Sequence, residues 1–361
     1  MNSDLPKEIV ITSGEATSEL RLSKVILPSI LGLGVVVWLM YREFDIAVFR
    51  AMQPGIHTAG WLLMAAGMYV LRHMFFAWRL RMVTEGFFSW MASVRLIVLW
   101  EFSTAVSPTS VGGAGVALYL LTREGLSGAR TIATVLYNMI SDTVLFMISL
   151  PLLFLVVGPG MIRPGLSSLN DVDGYGMIFL GMVAFIYLYG MLFFAGLFVW
   201  PSAISGLLRR LASLRWLQRW SDVFLNTADE MVLTAAAVRK KPVFWHVRIF
   251  LATLGAWLCR FAAFPFLFLA FVSTFQPGFY DILTILARGE SMHVITSATP
   301  TPGAAGVAEY VFGGFFSDYV PLGVAAVIAL SWRLLGYYSY LVAGCILIPS
   351  WWKHTFSSKS E

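Results

Sequence analysis

The sequence predicts an all-α polytopic membrane protein with six transmembrane helices and two re-entrant helical hairpins in an inverted-topology repeat. Three observations predict it. The chain is 58% hydrophobic and only 12% charged, with a mean hydropathy of +0.76, and a soluble fold of this length cannot hide that much apolar surface. Several stretches approach the ~20 apolar residues that cross a bilayer. Two further segments of hairpin length are broken at their centres by Pro and Gly.

The elements follow in order. Residues 1–24 are polar and mixed in charge, a cytoplasmic N-terminal segment. The next apolar run ends in Tyr41-Arg42-Glu43-Phe44, which is no small-residue cleavage site, so Val25–Tyr41 reads as the first span and not as a cleaved leader. Thr58–Trp78 is the second span. Val94–Arg123 is the first hairpin, broken at Ser107-Pro108-Thr109-Ser110-Val111-Gly112-Gly113-Ala114-Gly115. Ile132–Val157 and Gly176–Trp200 are the third and fourth spans and complete a first membrane half, 25–200. A polar cytoplasmic linker occupies 201–242. In it Phe224, Ala228, Met231, Ala235 and Val238 recur at helical spacing, and Trp216 and Trp220 sit among Arg209, Arg210, Arg215 and Arg219. That pattern suits the surface of an anionic leaflet and equally a connector packed on the spans. The second half, 243–349, holds the span Val243–Phe275, the hairpin 280–318 and the span Val320–Pro349. Its break reads Thr299-Pro300-Thr301-Pro302-Gly303-Ala304-Ala305-Gly306. Residues 350–361 form a cytoplasmic tail.

Charge fixes the orientation. Most of the 25 Lys and Arg residues fall on one side, with only Arg42, Arg50, Arg163 and Arg288 on the other and Arg72, Arg248, Arg260 and Arg333 within spans. Basic residues stay inside, so both termini are cytoplasmic and the expected location is a bacterial inner membrane. The bias holds only if each broken segment returns to the side it entered. The two hairpins then open to opposite faces, an arrangement that recurs in transporters with the binding site near the midplane.

Non-helical backbone at membrane depth lines a cavity or is buried in protein. The second half-helix of each hairpin starts at the break, and its N-terminal N–H groups favour an anion. Gly112, Gly113, Gly303 and Gly306 allow close approach to the backbone. Ser107, Thr109, Ser110 and Thr301 offer hydroxyls, and Pro108 and Pro302 fix the breaks. Ionisable residues in hydrocarbon usually face the interior and have a partner or a function. Asp142, Arg333, Arg260, Glu101 and Glu309 fit that description. The arginines match phosphate oxygens, and the carboxylates hold the arginines, carry protons or meet a cationic headgroup. The plainer reading is buried ion pairs that fix helix register. Arg72 is expected to snorkel to the inner interface, and His73 and His293 to be structural. Cys259 and Cys345 fall in spans, and no Cys/His set has metal-ligand spacing. No catalytic nucleophile, metal site, cofactor site or ATP-binding loop is found, so an enzyme is not expected. Nucleic acid is not an expected partner either, because the basic residues sit at span ends.

At the two breaks the chain resembles the flippase-like transmembrane domain of lysylphosphatidylglycerol synthases and their stand-alone relatives. The first hairpin of that family has Pro followed by Gly, then a helix with an Asp, matched here by Pro108, Gly112, Gly113 and Asp142. Its second motif is matched by Thr301-Pro302-Gly303-Ala304-Ala305-Gly306-Val307-Ala308-Glu309, and an Arg in the next span by Arg333. The likeness runs from about Leu62 to Ile348. It departs at Gly115 to Leu118, where members often carry an acidic residue and an Arg, and at Asn138, where many have an Arg. No polar segment is long enough for the soluble aminoacyl-transferase domain of the fused synthases. The resemblance implies lipid handling. Joined to the cavity argument, it gives a lipid translocase that moves a phosphate-bearing lipid between leaflets. Its partners are membrane lipids with anionic or zwitterionic headgroups, with self-association left open. The rivals are a secondary transporter of a small soluble anion, a lipid-modifying enzyme, and a non-transporting partner of an envelope lipid enzyme.

Overall fold

Long apolar runs without internal breakers become long helices, and the Pro/Gly runs end them. The structure, a computed structural model, describes residues 55–107, 110–166, 174–214, 218, 221, 225, 228–229, 232, 235–236, 238–299, 301–304 and 306–357. The expected span Val25–Tyr41, the 1–24 segment, Pro108, Trp216 and Trp220 lie outside these residues. The helices are α1 (Ile56–Val83), α2 (Trp90–Val106), α3 (Ser110–Arg123), α4 (Gly128–Val157), α5 (Gly174–Phe194), α6 (Pro201–Ala212), α7 (Val243–Phe271), α8 (Phe279–Ser297), α9 (Val307–Phe315), α10 (Leu322–Arg333) and α11 (Ser339–Ser357). No strand occurs among the described residues.

Four stretches are long and apolar enough to cross a membrane: Ile56–Val83, Arg130–Met161, Val243–Phe271 and Gly323–Trp351. They correspond to the second, third, fifth and sixth expected spans. The fourth expected span is helical as α5, but its apolar core Gly176–Leu192 is shorter. The sixth is interrupted by a π-helical turn, Leu334–Tyr338. Side-chain distribution is that of a protein dissolved in lipid. Leu63, Leu71, Leu155, Leu188, Leu251 and Ile346 are exposed, while Arg72, Arg79, Arg288, Glu290 and Arg333 are buried. Water as solvent would invert that arrangement.

α1 and α7 make the most extensive helix contact. Gly255 permits it, since a Cβ there would lie 2.8 Å from the Phe75 ring. Each Pro/Gly break separates two helices that fold back on one another. In the first pair, Ser89 caps α2 by accepting from Ala92 N–H at 3.2 Å. Gly113 of α3 sits so close to α2 that a Cβ would meet Thr104 Oγ1 at 2.1 Å. The far ends of the pair are joined by Arg95 and Glu124, 3.5 Å apart, and Glu124 also accepts from Trp351 Nε1 at 2.7 Å. In the second pair, Arg288 donates to Gly160 O and Phe315 O and pairs with Asp318 at 2.5 Å. The Arg95–Glu124 end adjoins the start of α4 and the end of α11. The Arg288–Asp318 end adjoins the turn after α4. These two sets of contacts thus lie at opposite ends of α4.

Part of the described linker packs on the spans. Ala235 and Val238 join Tyr137, Ile140 and Ile249 in one apolar cluster. Arg209 pairs with Asp229, and Lys241 with Glu85 at 2.7 Å.

Candidate functional site

The two breaks meet. The end of α2 packs on the turn Pro302–Ala304, and the π-helical turn after α10 clamps them together. Tyr337 donates its hydroxyl to Ala105 O at 3.1 Å. Arg333 Nη1 donates to Gly303 O at 2.8 Å, and the Arg333 guanidinium lies 4.0 Å from the centre of the Tyr337 ring. π-Helical turns of this kind frequently mark functional sites. Gly303, Ala304 and Gly306 all have positive φ (57°, 54° and 85°), the conformation that lets the chain reverse in so few residues.

Beside this junction lies a cavity of about 460 Å³ whose walls come from both halves of the chain. Arg72, Arg79, Glu101, Asp142, Arg260 and Arg333 line it, with Ser107, Thr301, Gly303, His293, Trp257 and Tyr337. Glu101, Asp142, Arg260, Arg333, Ser107, Thr301 and Gly303 were all expected at the site. Glu309 and Gly306 stand behind the wall. Glu309 Oε1 lies 2.8 Å from Arg333 Nε, and its Oε2 accepts from Gly306 N–H at 2.8 Å. Gly113 is used in helix packing against Thr104. The side-chain surroundings of Gly112 and Pro302 lie outside what is described.

The pairing of charges differs from the expectation in three places. Arg72 does not snorkel: it is 2% exposed, donates to Glu101 Oε1 at 2.8 Å and to the Tyr340 hydroxyl at 3.0 Å. α2 brings a carboxylate to it, so leaving the bundle would strand both groups. Arg79 is no cytoplasmic surface charge. It is 6% exposed and grips Asp142 through both oxygens, at 2.5 and 3.2 Å. Asp142 also accepts from Trp257 Nε1 at 2.8 Å. The α9 N-terminus is not wholly open to a ligand, because Glu309 takes the Gly306 N–H. His73 bridges the Tyr340 hydroxyl and Val94 O, a structural placement as expected.

The result is an unequal charge balance. Glu101, Asp142 and Glu309 are each held by an arginine of their own. Arg260 is left over. Its guanidinium lies 5.3 Å from the Trp257 ring centre and has no carboxylate partner among the described residues. Arg333 Nη2 is buried and also unpartnered. The cavity therefore carries one uncompensated positive charge at the depth of the helix breaks. Sequence reasoning missed Arg79 and Glu290. A carboxylate in the middle of a helix, as in Gly289-Glu290-Ser291-Met292, is the signal that points to the second. No group of three or more His, Cys, Asp or Glu that could hold a metal exists among the described residues.

Fold and site together define a multi-pass helical membrane protein with a cationic interior cavity at a pair of helix breaks. The chain belongs to the family of the lysylphosphatidylglycerol synthase TM region, which it matches over residues 25–344. Among curated proteins it is similar to a "UPF0104 membrane protein" of Archaeoglobus fulgidus, 22% identical over 302 residues that cover 81% of this chain and 88% of the relative. No solved structure matches. The resemblance carried by the two break motifs is thus borne out across most of the chain.

Proposed function

We propose that the protein is a lipid translocase that moves a phosphate-bearing lipid between leaflets, and that it acts as a transporter without catalysing a covalent step. The observation that carries this reading is Arg260. It is a guanidinium facing a membrane-depth cavity in which every nearby carboxylate is already committed to another arginine. Burying an unpaired cation is costly, so the arrangement suits a protein that supplies the anion from outside. A phosphate headgroup matches the guanidinium fork, and the acyl chains stay in the bilayer. Family membership supports a lipid as cargo. On this reading α2–α3 and α8–α9 are re-entrant hairpins entering from opposite faces, and the units α1–α4 and α7–α11 are the inverted repeats. Both termini lie in the cytoplasm beneath an inner membrane. Contacts at opposite ends of α4 support that arrangement.

The test is a leaflet-exposure assay in liposomes, with labelled anionic and zwitterionic phospholipids and a soluble phosphate arm. Wild type is expected to exchange at least one lipid between leaflets. Arg260→Ala removes a charge-assisted hydrogen-bond donor set worth about 1.5–3 kcal/mol, so exchange slows about tenfold to a hundredfold. Arg260→Lys falls between, since an ammonium keeps the charge but not the fork. Exchange no faster than in empty liposomes for every lipid tried would sink the proposal. Uptake of phosphate alone would favour a small-anion transporter.

A further inference from the structure

Glu290 lies outside the cavity wall and takes no part in the reading above. It sits on α8, buried to 4% exposure, where α8 packs on α4. Its one hydrogen-bond contact among the described residues is Ser149 Oγ, 2.5 Å from Oε1. Ser149 Oγ also lies 2.9 Å from Leu145 O, the carbonyl one turn back on its own helix. A hydroxyl has a single hydrogen. If that hydrogen goes to Leu145 O, the proton between Ser149 and Glu290 must come from the carboxyl.

The surrounding charges point the same way. On α4, Asp142 is committed to Arg79. On α7, Arg260 lies over Trp257. On α9, Glu309 is paired with Arg333. On α5, the Tyr187 hydroxyl donates to Met147 O. On α8 itself, Arg288 turns to Asp318. No Lys or Arg among the described residues is paired with Glu290, and an isolated buried carboxylate neutralises instead of staying charged. The same face of α8 carries His293 one turn further on. His293 lines the cavity and stacks on Phe146 of α4, ring centroids 5.7 Å apart.

We infer that Glu290 is a proton-binding site on the α4–α8 seam, holding its carboxyl neutral in this arrangement and exchanging its proton with the cavity past His293. The step is a bare transfer: the O–H bond of the carboxyl breaks, and the proton passes to cavity water. The site stands whether or not a lipid is the cargo.

Infrared difference spectroscopy of the full chain in liposomes at pH 7 tests it. Glu290→Gln is expected to remove a carboxylic acid C=O band. Ser149→Ala is expected to move that band to higher frequency, as a lost hydrogen bond requires. On transfer to D2O the band shifts in wild type, and more slowly in His293→Phe. Loss of carboxylate bands in Glu290→Gln, with no acid band changed, overturns the inference. Equal exchange in wild type and His293→Phe overturns the route. Should Glu290→Gln fail to fold, the Ser149→Ala spectrum decides: a shifted acid band supports the site, and a shifted carboxylate band overturns it.

Discussion

Replacing Asp142 by alanine is expected to destabilise the fold by about 3–5 kcal/mol, the range for removing one member of a buried ion pair. The size follows from what is left behind. Arg79 is 6% exposed, and besides Asp142 its guanidinium has only Thr253 Oγ1, at 3.2 Å, as a hydrogen-bond partner among the described residues. Without the carboxylate a buried guanidinium is left unpaired at the cavity wall beside other arginines, and the Trp257 N–H loses its acceptor as well. Asp142→Asn keeps an acceptor for Trp257 but not the charge, so it falls between. The informative comparison is the double variant Arg79→Met with Asp142→Leu. It removes both charges at similar volume, and well-packed apolar replacements of buried pairs are often neutral or better. Apparent melting temperatures in detergent, all at one scan rate because such unfolding is often irreversible, should place the double variant well above Asp142→Ala. A single variant as stable as wild type would mean that the pair does not hold α1 to α4.

What the sequence disclosed and what it withheld divide along one physical line. Hydropathy and breakers are local properties, so the four long apolar helices and the two Pro/Gly breaks between shorter helices were legible. α1 runs past the expected Trp78 to Val83 and α7 stops at Phe271, short of Phe275, because helix ends are set by caps and packing that hydropathy does not see. Charge partnership is not local. Arg72 lies toward the inner end of its span and so reads as an interfacial side chain; its partner, Glu101, comes from α2. Arg79 lies just past the expected span Thr58–Trp78 and so reads as a cytoplasmic charge. In the fold it pairs with Asp142 from α1, while position 138 on α4 itself, one turn before Asp142, is Asn138. Asn138 instead donates to Thr134 O of its own helix at 2.7 Å. The cation thus arrives from a different helix, which no reading of α4 alone reveals. The Glu309–Arg333 pairing was within reach, because the motif fixes both residues near the second break.

Gly303→Ala is expected to be among the most damaging single-methyl changes at the described glycines. Two costs add. Gly303 has φ +57°, a left-handed conformation that disfavours a side chain by roughly 1–2 kcal/mol. A Cβ there would also lie 2.1 Å from Tyr337 Cε2, and overpacking of this kind adds about 1–3 kcal/mol. Tyr337 cannot swing aside cheaply. Its hydroxyl is bonded to Ala105 O and its ring is covered by the Arg333 guanidinium. The backbone must give instead, which pulls Gly303 O away from Arg333 and parts the two breaks. Lower thermal stability and slower lipid exchange are therefore expected together. Tyr337→Ala in the same chain removes the clash but not the backbone strain, so it should restore stability only in part. Gly314→Ala on α9 is the control: a Cβ there meets nothing within 4 Å, and an alanine in a helix is favoured over glycine by about 1 kcal/mol. If Gly303→Ala melted with Gly314→Ala and wild type, the contact between the second break and the π-helical turn could not be what holds the cavity's arginine in place. Arg333 would then have to be positioned by Glu309 alone.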